Sequence, residues 1–120
     1  MFRAGLAGTF PPDAQPAADE LDAQWELVHR ERGDLLMPRL VRYIEERRVH
    51  EARWTGAIET HPAPLRIVWG DVDPVAVWPM AERLAAARAD ADLVRLRGIA
   101  HWPMIEAPDA VADAVLTWLG

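Results

Sequence analysis

Two short loops in the second half of the chain carry side chains that could share a proton. Leu65-Arg66-Ile67-Val68-Trp69 runs into Gly70-Asp71-Val72-Asp73-Pro74, and Leu93-Val94-Arg95-Leu96-Arg97 runs into Gly98-Ile99-Ala100-His101-Trp102-Pro103. A carboxylate that accepts from one ring nitrogen of a histidine leaves the other free to act as a base, and steadies the imidazolium that forms. Asp73 and His101 are the candidates for that pair. Asp71 competes for the acid position and otherwise reads as a turn residue bonding local backbone. A hydrolytic triad also needs a nucleophile. The sequence has no serine and no cysteine, and neither a G-x-S-x-G elbow nor its aspartate equivalent can be found in it.

The elements around these loops explain why they could meet. The two apolar runs predict strands at 65–69 and 92–97. Between them, apolar spacing predicts a helix over 77–88, burying Met80, Ala81, Leu84 and Ala87. Strand–helix–strand units pair in parallel through a right-handed crossover. Both loops then leave the carboxyl ends of adjacent strands, where open α/β sheets place their ligands. A last helix is predicted over 108–119 with Val111, Val115, Trp118 and Leu119 inward. Upstream, residues 1–16 read as an irregular lead-in rich in Gly, Pro and Ala. A helix follows Pro16, carries Leu21, Trp25 and Val28 on one face and stops at Gly33. Asp34 is the expected N-cap of the next, whose stripe is Leu36, Leu40, Tyr43 and Ile44, with Pro38 in its first turn. A separate helix is expected over 50–59, before His61-Pro62-Ala63-Pro64 breaks the pattern.

Composition narrows the function classes. The chain has 120 residues, 51% of them hydrophobic, and a net charge of −6. This suits one domain at most, and opposes disorder and a nucleic-acid partner. Without cysteine there is neither a disulfide framework nor a thiolate metal site, which fits a reducing, cytoplasmic setting. The opening residues predict no signal peptide, and no apolar run predicts a membrane span. All thirteen basic residues are arginine, which we read as GC-rich, bacterial coding. His29, His50 and His61 stand at no metal-ligand spacing and read as surface residues.

The turn G-x-x-D-P at 70–74 and the run G-x-x-H-x-P-x-x-E-x-P at 98–108 resemble the C-terminal part of the α/β-hydrolase fold family. The stretches 40–48 and 53–57 look closest to its epoxide-hydrolase and haloalkane-dehalogenase-like branch, in particular to the mesoderm-specific-transcript group. The resemblance implies an α/β chain in two parts: a helical lid segment at 17–60, then a strand–helix–strand–helix portion of a parallel sheet at 65–120. It selects Asp73 over Asp71, because the family's acid falls three residues after the strand-ending glycine. It implies a covalent hydrolysis of an ester, epoxide or carbon–halogen bond in a small molecule, without a cofactor. The nucleophile, an aspartate in that branch, would lie upstream of residue 1.

Other residues have blander readings beside the functional one. Trp78 and Trp102 flank the two loops and could line a pocket, yet either serves equally as packing. Tyr43 sits on the lid, where epoxide hydrolases place donor tyrosines, but its neighbours do not reproduce their pattern and packing is the better reading. Glu106 is expected to hold the histidine loop or cap the last helix. The rival to an enzyme fragment is a non-catalytic packing or interaction module that kept the hydrolase-like end. A small helical regulator is a weaker third reading. In either main case the chain alone is expected to be inactive, poorly stable, and prone to associate through an exposed sheet edge.

Overall fold

The computed structural model describes residues 2–120. Its elements in chain order are α1 (Phe2–Ala7), α2 (Ala18–His29), a 3₁₀ stretch (Arg30–Leu36), α3 (Met37–Leu40), α4 (Tyr43–Thr60), β1 (Arg66–Gly70), α5 (Trp78–Ala86), β2 (Asp92–Leu96), α6 (Pro103–Glu106) and α7 (Pro108–Leu119). The architecture is α/β, with helices around a two-stranded parallel sheet. Arg66 stands opposite Asp92, and Gly70 opposite Leu96. The strands form where Ile67, Val68 and Trp69 suit a pleated surface. Pro79 and Pro108 sit in the first turns of α5 and α7, where a missing N–H has no helical partner to lose.

The core lies at the sheet and its carboxyl end. Phe10, Ile67, Ala81, Leu96, Ala100 and Ala114 are its buried apolar residues. α5 packs on both strands and α7 on β1. Arg66 fastens α7: its guanidinium binds Asp92 at 2.6 Å, Thr117 Oγ1 at 3.1 Å and the Ala114 carbonyl, and lies 5.2 Å from the Trp118 ring centre. At the same amino end of the sheet, buried Arg88 donates to the carbonyls of Ile58 (3.1 Å) and Ala63 (2.8 Å) and pairs with Asp90. The C-terminal turn of α4 is thus anchored beside the starts of the strands.

Several elements depart from the expected pattern. The lead-in is not irregular throughout, since α1 occupies Phe2–Ala7. Asp34 caps nothing. It falls inside the 3₁₀ stretch and accepts from Arg32 at 3.4 Å, while Glu31 and Arg32 hold left-handed φ angles of 51° and 63°. The two helices expected around 34–59 are redistributed. A four-residue turn, α3, with Pro38 in its first turn as expected, precedes one continuous 18-residue α4. Arginine, glutamate and alanine carry the helix through Val49 and Gly56 because their summed propensity outweighs one glycine. Burial is also shallower than the apolar stripes suggest. Met80, Val115, Trp118 and Leu119 are exposed, and among the described residues α2, α3 and α4 bury none. A stripe shows which face would be covered, not that a surface is present to cover it.

Candidate active site

The acid loop is built to hold one carboxylate still. Trp69, last but one in β1, turns its indole N–H onto the Ala76 carbonyl at 2.7 Å and closes the loop. Inside it, Asp73 Oδ1 accepts the N–H groups of Val75 (2.7 Å) and Ala76 (2.8 Å), an aspartate-centred turn. The side chain is only 7% exposed. From that fixed position the carboxylate meets His101 Nδ1 at 2.9 Å through Oδ2 and 3.1 Å through Oδ1. With Nδ1–H donating to Asp73, Nε2 is the nitrogen left to take a proton. The imidazole is 29% exposed, enough to reach a substrate or water.

The histidine loop lies hard against the end of β1. The Val72 amide donates to the Ile99 carbonyl at 3.1 Å, and the Asp71 amide to Leu96 at 3.1 Å. Gly70 permits this approach, for a Cβ there would stand 2.4 Å from the carbonyl oxygens of both Ile99 and Ala100. Gly98 takes a left-handed φ of 71° that starts the loop. Asp71 does not bond local backbone as its position suggested. Its Oδ1 accepts the Gly98 N–H at 2.7 Å and its Oδ2 the Arg95 Nε–H at 2.9 Å, tying the two loops together. The Gly98 amide, and then Arg95, hold its carboxyl below the usual carboxylate range. Asp71 points across to β2 because it directly follows the strand, whereas Asp73 sits two residues further into the turn.

Two segments brace the histidine from outside. Glu106 accepts the amides of Ala100 (2.7 Å) and Trp102 (2.9 Å), one on each carboxylate oxygen. Thr9 accepts the His101 N–H on its carbonyl at 3.3 Å and the Trp102 indole N–H on its hydroxyl at 2.8 Å. Thr9 was invisible to motif reading; the only hint was the short Gly8-Thr9-Phe10-Pro11 turn, whose Phe10 is 5% exposed. Between this strap and the loops lies a hollow lined by Gly8, Phe10, Pro11, Pro12, Asp13, Val72, Pro74 and Gly98.

The aromatic candidates are spent on packing. Trp102 packs edge-on to His101 at 5.2 Å between ring centres and spends its N–H on Thr9. Trp78 lies 4.8 Å below the Arg95 guanidinium. Neither lines that hollow. Tyr43 lines a different one with Leu36, Arg39, Leu40 and Glu46, to which the acid and histidine loops contribute nothing. Trp25 lies tilted against His29, and Trp54 against His50. Among the described residues no group of three or more His, Cys, Asp or Glu side chains is disposed to hold a metal, and no helix is long and apolar enough to cross a membrane.

Comparison with known proteins places relatives beside this geometry. Over 118 residues, 98% of the chain, it is 40% identical to the protein named "Putative hydrolase LipZ" of Mycobacterium tuberculosis, covering 41% of that protein. Over 121 residues it is 26% identical to the mesoderm-specific transcript protein of Mus musculus and 27% identical to its Homo sapiens homolog, covering 36% of each. The chain therefore spans about two fifths of the length of the curated relatives it matches. No family model matches it, and no solved structure does. The likenesses support a hydrolase-like family.

Proposed function

We propose that the chain supplies the acid and the base of an α/β-hydrolase that cleaves an ester, epoxide or carbon–halogen bond in a small molecule through a covalent intermediate. One observation carries the reading: a nearly buried carboxylate, held by two backbone amides, meets the Nδ1 edge of a part-exposed histidine at 2.9 Å. Asp73 is the orienting acid and His101 the general base. In the second half of the reaction His101 Nε2 takes a proton from water as its oxygen attacks the ester on the nucleophile. Asp73 balances the imidazolium, and the proton then passes to the oxygen that leaves, the product alcohol's if the nucleophile is an aspartate or the nucleophile's own hydroxyl if it is a serine. The nucleophile comes from outside this sequence, which has no serine or cysteine and no recognisable elbow.

A chimera tests the reading. The stretch of LipZ that matches this chain is replaced by residues 1–120, and LipZ and chimera are assayed on p-nitrophenyl esters, epoxides and haloalkanes. Turnover by the chimera on substrates LipZ accepts, lost in His101→Ala and falling at least about a hundredfold in Asp73→Asn, is expected. Turnover indifferent to His101→Ala would overturn it, as would an inactive chimera of an active LipZ. The chain alone, lacking a nucleophile and an oxyanion hole, should leave the same substrates intact.

A further inference from the structure

We propose that Glu106 is a positioning residue that sets His101 against Asp73, a role beyond capping the short helix it ends. The reason lies in three consecutive amides. Ala100 N–H donates to Glu106 Oε2 at 2.7 Å, His101 N–H to the Thr9 carbonyl at 3.3 Å, and Trp102 N–H to Glu106 Oε1 at 2.9 Å. The loop carrying them belongs to neither strand nor helix, so no ladder holds it. A cap on α6 needs one oxygen on Trp102, the residue before its first turn. The second oxygen reaches two residues further back, to Ala100, which is 1% exposed.

Holding the amides on both sides of residue 101 fixes the direction of its Cα–Cβ bond and so the point from which the imidazole reaches toward Asp73. Asp73 cannot follow a wandering histidine, since the Val75 and Ala76 amides lock its carboxylate. The pair therefore forms only as often as the loop presents His101 correctly, and Glu106 controls that fraction. Calling the histidine a base rests on the functional reading above, but the clamp itself does not.

The test uses the full chain, isotope-labelled, with two NMR readouts: the low-field His101 Nδ1–H proton and hydrogen exchange at the Ala100 and Trp102 amides. Glu106→Ala should abolish the proton signal and speed exchange at both amides at least tenfold. Glu106→Gln keeps one acceptor oxygen and should restore protection at one amide; restoring neither overturns the proposal. Gly56→Pro, which breaks α4 far from the loop, controls for general destabilisation and should leave the His101 signal in place. Survival of that signal in Glu106→Ala overturns the proposal. Neither readout requires turnover, so an inactive chimera would defeat the functional reading and leave the clamp standing.

Discussion

Gly70→Ala should separate the acid from the histidine while leaving both residues in place. The added methyl would lie 2.4 Å from the carbonyl oxygens of Ile99 and Ala100, whereas ordinary contact begins at 3.4 Å. Both obstacles are backbone, so the histidine loop must retreat by about 1 Å from the end of β1. Such overpacking costs about 1–3 kcal/mol. The Val72–Ile99 bond, 3.1 Å long, would be stretched as well, adding about 1 kcal/mol. A loss of roughly 2–4 kcal/mol is a large share of a small domain's stability. The same retreat would take the 2.9 Å His101–Asp73 contact to about 3.9 Å, beyond hydrogen-bond range. Urea unfolding measures the first effect and the His101 Nδ1–H resonance the second. Gly98→Ala is the matched control. Its Cβ would meet nothing within 4 Å, so only the left-handed backbone is strained, at about 1 kcal/mol, and the resonance should persist. A Gly70→Ala chain with an unshifted midpoint and an intact His101 signal would refute the reasoning.

Three further outcomes follow from other parts of the molecule. Asp71 titrates below its ordinary 3.8 in the folded chain. Its stabilisation is therefore present above that value and lost as pH falls through the folded value. Asp71→Asn should flatten the acid limb of the pH dependence of the urea midpoint, below the ordinary carboxylate value, and an unchanged profile would show that the tie to Gly98 and Arg95 is absent. Gly56 lies in α4 with open space where a Cβ would go, so Gly56→Ala should stabilise by about 0.5–1 kcal/mol, read from the melting midpoint. The chain exposes 8793 Å², against about 6,500 Å² for a folded monomer of its mass. With Leu35, Leu36, Leu40 and Val49 in that surface, sedimentation should show association rising with concentration; a monomer throughout, with a cooperative melt, would contradict this.

Much of this site was legible in the linear sequence because its carriers are local. A strand ending in glycine, a turn with two aspartates, a helix, and a second strand ending in a histidine loop need only short-range patterns to be read. Parallel pairing then brings Asp73 and His101 to the same end of the sheet. Glu106 could be placed for the same reason, being five residues from the histidine it serves. What the sequence left open depends on contacts between distant segments. Nothing local says that Thr9 will reach across to residues 101 and 102, or that Asp71 will bond Gly98 rather than its own turn. The apolar stripes of α4 and α7 were equally plain in the sequence, yet they remain largely exposed. Periodicity records which face of a helix repels water, but burial requires an opposing surface, and only the tertiary structure decides whether one is there.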